Sequence, residues 1–405
     1  MATDQRTSRR LVLCFDGTWN KIESRTNVSR LFETILDRAA SGGAQLKFYD
    51  EGVGSAAEAT TPWKRIKDGL LGGIFGDGIH RNVLQAYCWL IEHYDSPSAG
   101  SHPEIYIFGF SRGAFTARLL AGLLGASGLL KRQAVMNYSK PCRNQVTWEN
   151  ELVQLAWSRY KPGRSAWRSV GHPVPGQHVG DWENVAQPVP VRLLGVWDTV
   201  GRYGVPTWSW GSGFFKPIRF GDSFVVRHVE HARHAMAIDE HRADFNIRLW
   251  EGVSATWASA RLSDLPVTTI HQQWFAGVHA QVGGGYENDL LCHHPLQWMA
   301  EEARMLGLGL MDAGPKKIFR FAPLSRDHLA PIINSHAEFA FGKYRWISDP
   351  IARQIRVGST ATSDFTMNVD IDPSVFEKVL GDAAYRPVNL YHQGRLDLHA
   401  GSDKS

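Results

Sequence analysis

Cysteine is scarce. The 405 residues hold four, Cys14, Cys88, Cys142 and Cys292, far apart and with no C-x-x-C pair, so neither a disulfide framework nor a structural zinc site is expected. A reducing compartment is the default. Long apolar runs are missing too: the longest weakly polar stretch, "LLAGLLGASGLL", falls well short of the roughly 20 residues a membrane span needs. The N-terminal apolar run is five residues, too short for a signal-peptide core, which predicts a cytoplasmic location by default and leaves delivery by a dedicated secretion system open. No run of five or more like charges occurs, and the net charge is only +4, so nucleic-acid binding is not indicated.

What is present is the composition of an ordinary globular protein, 43% hydrophobic and 21% charged, apart from fifteen tryptophans, seven of them between Trp148 and Trp210. Such side chains suit either a second small core or a surface that meets something greasy. Short apolar runs alternate with helical patterns. "RLVLCF", "QLKFYD", "EIYIFGF", "VRLLGVW" and "HQQWF" read as strands. Helices are expected over Asn27 to Ala40, Ile79 to Tyr94, "AFTARLLAGLLGASGLL", "VRHVEHARHAMAIDEHRADF" and "HPLQWMAEEARMLGL", and a hairpin in "DFTMNVDIDP". This alternation predicts an α/β fold with a mainly parallel sheet covered on both faces. One domain over 1–405 is expected, with an insertion at 131–190 and a candidate lid loop at 205–220.

The chemistry centres on Gly109-Phe110-Ser111-Arg112-Gly113. G-x-S-x-G by itself is weak, since chance supplies roughly 0.1 to 0.3 matches in a chain this size. Here a strand precedes it and a helix follows. That context places Ser111 on a strained turn with its hydroxyl at the helix start, the flanking glycines removing side chains that would collide. A serine hydroxyl needs a base, and the base an orienting acid. Asp198 closes "RLLGVW" and His279 closes "QWFAGV", so both lie at strand ends, in the order Ser, Asp, His. Asp16 and Asp239 remain alternative acids, and seventeen histidines offer other bases. For the oxyanion, the amide of Arg112 and those of Gly17 and Thr18 in "FDGTWN" are candidates, with Asp16 and Gln281 as supporting residues.

Other patterns carry less. "LLGGIFGDGIHR" lacks the G-K-[ST] ending of a phosphate loop and reads as a flexible loop, 69–78, over the site. His228, His231 and His234 recur every third residue, which on a helix could bring metal ligands to one face; an ordinary polar face is the preferred reading. No metal or cofactor is expected. Gly283-Gly284-Gly285 either let the backbone pass close to Ser111 or form a plain loop.

Six blocks, "FDGTWN", "FGFSRGAFTARLLAGLL", "GVWDTVG", "HAMAIDEHRADF", "QWFAGVHAQVGGGY" and "YRPVNL", together resemble, in order, an α/β-hydrolase-like family that includes the catalytic domain of type VI secretion phospholipase effectors. The resemblance implies an α/β-hydrolase-like fold with a Ser111, Asp198, His279 triad, and hydrolysis of carboxylic ester bonds in phospholipids. Two departures stand out: the family commonly has Asp where this chain has Gln281, and its membrane-attacking effectors tend to be longer. The expected partner is an ester or lipid substrate; the aromatic and basic "TWSWGSGFFKPIRF" suits a lid in transient contact with a membrane surface and suits equally the packing of Trp208, Trp210, Phe214 and Phe215 into the core. No oligomeric state can be read. The rival expectation is a hydrolase-fold protein with an incompetent triad that binds a membrane surface or a partner.

Overall fold

The computed structural model describes residues 8–17, 20, 22–52, 73–94, 102–138, 146–160, 182–200, 223–312, 324, 326–338 and 349–391. Eight strands form its main sheet: β1 Arg10–Phe15, β2 Gln45–Asp50, β3 Glu104–Phe110, β4 Val191–Trp197, β5 Val229–Ala237, β6 Thr268–Phe275, β7 Gly358–Ala361 and β8 Phe365–Ile371. Their order across the sheet is β7-β8-β6-β5-β4-β3-β1-β2. All neighbours are parallel except the edge pair β7 and β8, which is antiparallel. This is the α/β-hydrolase-like architecture expected from the sequence.

The central strands are apolar on both faces because both faces are covered. Along β1, Leu11, Leu13 and Phe15 enter one core while Val12 and Cys14 enter the other. The same split recurs in β3, with Ile105 and Ile107 on one side and Tyr106, Phe108 and Phe110 on the other. The first core is closed by helices α2 (Gly73–His93) and α3 (Arg112–Ser127). The second is closed by α1 (Asn27–Thr34) and α5 (His293–Met305), and a third cluster, around Trp274 and Val375, packs α6 (Pro373–Gly381) onto the β8 side. A five-residue helix, α4 (His279–Gly283), follows β6. The tryptophans described in the Trp-rich region serve this packing: Trp182 is buried, its Nε1 donating to the Ser127 carbonyl, and Trp148 and Trp157 pack against the first core.

Three local expectations change. "VEHARHAMA" is strand β5, not helix. Its alanines and histidines suit a helix in isolation, but pairing on both sides with β4 and β6 decides the conformation. In an extended chain His231 faces away from His234, which removes the helical-face argument for a metal site. Among the described residues no group of three His, Cys, Asp or Glu could hold a metal ion. Second, the glycine-rich segment is helical from Gly73 onward, as the start of α2, while 69–72 lies outside the described residues. Third, α1 stops at Thr34, short of Ala40, and the C-terminal hairpin begins upstream of "DFTMNVDIDP", which supplies its second strand. The candidate lid at 205–220 and most of 139–181 also lie outside the described residues. Among the described residues no helix is long and apolar enough to cross a membrane.

Candidate active site

The sheet order reverses between β1 and β3, the point at which parallel sheets open a crevice at their carboxyl ends. Ser111 follows β3 at that point. Its φ is +57°, a conformation that bulky or branched residues rarely adopt, and its amide donates to the Trp197 carbonyl at 3.1 Å. The turn is tight enough to need Gly113. A Cβ there would lie 2.2 Å from the Phe15 carbonyl oxygen and 2.5 Å from that of Asp16. Glycine thus lets α3 start against the end of β1.

Asp198 follows β4 and also has positive φ, +38°. Two strained residues at neighbouring strand ends, at about 1–3 kcal/mol each, mark a local geometry that the surrounding structure enforces. His279 opens α4, four residues past the end of β6. The three side chains meet. His279 Nδ1–H donates to Asp198 Oδ2 at 2.6 Å, and the Ser111 hydroxyl lies 2.8 Å from His279 Nε2. An ionised carboxylate can only accept, so the proton belongs on Nδ1 and Nε2 faces the serine as an acceptor. Ser111 is 7% exposed and Asp198 fully buried. The imidazole is flanked by the rings of Phe110 and Phe245, at 4.7 and 5.0 Å between centroids.

Burial pulls the His279 imidazole below its ordinary 6.5, against the hydrogen bond and charge of Asp198, so the ring is held neutral. Burial alone would raise the Asp198 carboxyl; the charge of Arg353 and the bond from His279 outweigh it and hold the group well below the carboxylate range. Arg353 grips both carboxylate oxygens, Nη1 to Oδ1 at 2.6 Å and Nη2 to Oδ2 at 3.0 Å. The Ala237 amide gives Oδ1 another donor at 2.9 Å. Behind the base, the His279 amide donates to Glu240 Oε2 at 3.2 Å. Glu240 is itself forked to Arg242 and bonded by Ser335, and Arg242 outweighs burial to draw its carboxyl down to about 2.

The other candidates have different places. Asp16 does not pair with His279; it accepts from Thr26 and Tyr49 at 2.6 Å each and from the Gly17 amide at 2.7 Å, which pins the loop after β1. Burial pushes its carboxyl up to about 6 despite those donors. The Gly17 amide is therefore engaged by Asp16, and Thr18 lies outside the described residues. Arg112 is the first residue of α3, where the amides of the opening turn lack intrahelical acceptors. Asp239 accepts from the Gly277 amide and the Tyr385 hydroxyl, so it shapes the turn before His279. Gln281 acts at that turn as well: its Oε1 accepts from Val278 and Ile333, and its Nε2 donates to the Pro331 carbonyl. Gly283 lies flat on Phe110, where a Cβ would sit 1.9 Å from the ring.

Sequence reasoning missed Arg353 and Glu240. Glu240 stood beside Asp239 inside a quoted block, but a strand read as a helix hid which way it faces. Arg353 sits in "IARQIR", with no local pattern to mark it.

An uncharacterized protein of Saccharomyces cerevisiae is 28% identical over 163 residues, 38% of this chain and 21% of its own length. Among solved structures, an uncharacterized protein from Pseudomonas aeruginosa aligns at 18% identity and a TM-score of 0.38, covering 79% of this chain and 48% of its own. The Tle1 effector, solved bound to the VgrG spike of the type VI secretion system, aligns at 16% identity and a TM-score of 0.29, covering 69% and 52%. The chain thus spans about a fifth of the yeast relative and about half of each structure. Residues 9–302 match the family described as T6SS, phospholipase effector Tle1-like, catalytic domain, and the chain belongs to that family.

Proposed function

We propose that this chain is a serine carboxylic ester hydrolase that acts on lipids, phospholipids first among them, through an acyl-enzyme on Ser111. The observation that carries the reading is the buried run of hydrogen bonds from Ser111 through His279 to Asp198 at three strand ends. His279 Nε2 takes the serine proton as Oγ attacks the ester carbonyl, and Asp198 stabilises the imidazolium that results. The imidazolium then protonates the leaving alcohol; water, activated by the same nitrogen, releases the acid and regenerates the serine. The Arg112 amide at the head of α3 is the first oxyanion donor in this scheme.

Membership in a phospholipase effector family supports lipid esters as the substrate class, and supports delivery by type VI secretion machinery as the route to them. The test is labelling with a fluorophosphonate probe followed by assay on short esters, triglycerides and phospholipid vesicles. Labelling that disappears in Ser111→Ala, with phospholipid turnover lost alongside, is the expected result. Folded wild-type protein that neither labels nor turns over any ester would remove the reading and leave the binding role.

A further inference from the structure

Arg353 reaches the site from residues 349–391, a segment beyond the family match, which ends at residue 302. Its side chain is almost wholly enclosed, at 2% exposure, so it is not placed to touch substrate. The guanidinium fork is bidentate on Asp198, and the same nitrogens reach two carbonyls, Nη1 to Ala237 at 2.8 Å and Nη2 to Phe245. Those contacts tie the group to the end of β5 and to the loop that carries Phe245, whose ring meets His279 edge-on. Asp198 Oδ2 is shared between Arg353 and His279, so the plane of the carboxylate, and with it the direction of the imidazole, is set from the arginine side. A lysine could supply the charge there but not the planar fork.

We infer that Arg353 is a positioning residue for the hydrolysis proposed above, holding Asp198 ionised and in the orientation that aims His279 at Ser111. The inference rests on that reading. A fully buried carboxylate left with one amide and one imidazole for partners draws the proton onto His279 and holds it as an imidazolium to higher pH. That removes the base near neutral pH. The charged groups around His279 are Asp198 after β4, Glu240 and Arg242 after β5, and Arg353 behind Asp198. Loss of Arg353 removes one cation from this set and leaves both nearby carboxylates.

The test compares wild type, Arg353→Gln and Arg353→Lys in kcat/KM on a soluble short ester from about pH 5 to about pH 9, normalised to folded protein by circular dichroism. Arg353→Gln is expected to lose on the order of 10²-fold in kcat at neutral pH with KM little changed. Its acid limb should move up by about one pH unit or more as His279 becomes easier to protonate. Arg353→Lys should keep the limb near its wild-type position while losing rate. A folded Arg353→Gln whose limb stays in place overturns the inference, because a purely structural loss scales the profile without shifting it. Should Arg353→Gln not fold, the downfield proton resonance of His279 Nδ1–H in folded Arg353→Lys decides: a resonance that is shifted or lost supports the inference, and one at its wild-type position overturns it. Fluorophosphonate labelling of wild type at Ser111 separates this from failure of the hydrolase reading itself, which would show as no labelling in any variant.

Discussion

One carbonyl oxygen of Gln281 accepts the amides of both Val278 and Ile333, joining the turn before His279 to a segment more than fifty residues downstream. Its Nε2 donates to the Pro331 carbonyl and faces Asp289 Oδ1 at 3.4 Å. Glutamine is suited to this position because it needs both a donor and an acceptor; a carboxylate would oppose the Pro331 carbonyl and Asp289. Gln281→Asp should therefore destabilise the protein by about 1–3 kcal/mol. Urea unfolding checks this, and an unchanged midpoint would count against the role.

Asp198→Asn should lower kcat by on the order of 10⁴-fold, because the amide no longer enforces the Nδ1–H tautomer and faces Arg353 without charge. Substrate binding should change little. Steady-state kinetics on a short ester separate the two effects.

The acid limb of wild-type kcat/KM should lie below about 6.5, since burial lowers the His279 pKa and the proposed mechanism uses the neutral imidazole as its base. A pH-rate profile with its limb above that value would conflict with the enclosed position of the ring between Phe110 and Phe245.

Asp16 provides a stability test with the opposite sign to a salt-bridged acid. Its carboxyl is raised from 3.8 to about 6 in the folded protein, so the folded state holds the extra proton and stability attributable to this group falls as pH rises through that interval. Asp16→Asn should flatten that part of the curve. The hydroxyls of Thr26 and Tyr49 can rotate to accept from the new amide while its carbonyl oxygen keeps the Gly17 hydrogen. Thermal melts of the two proteins at pH 4 and pH 6 are the measurement; parallel curves would exclude Asp16 as the source.

Gly113→Ala should cost about 1–3 kcal/mol or more and reduce fluorophosphonate labelling, because the added methyl meets two backbone carbonyls that cannot rotate away. Wild-type melting together with wild-type labelling would show that β1 and α3 can separate freely.

Much of this geometry was readable beforehand for a specific reason. β1, β3 and β4 are buried on both faces, and their apolar runs end abruptly at Asp16, Ser111 and Asp198, so strand ends and candidate groups appear together in the sequence. β5 was not readable: its Arg233 is held by Glu302 and its His231 by Thr269, and such partners become visible only once the strands are paired. Arg353 was hidden for the same reason. A side chain that acts on a carboxylate 155 positions earlier leaves no periodic trace.

The order of strands in the sheet also bears on how the candidate site is assembled during folding. Among the described residues of the main sheet, β7 and β8 are the neighbours joined by a short turn; every parallel pair waits on a crossover between its strands. Such non-local pairing makes for slow folding. Ser111, Asp198, His279 and Arg353 come from four separate stretches of that path, so in refolding from denaturant the recovery of turnover should lag behind the recovery of helical ellipticity.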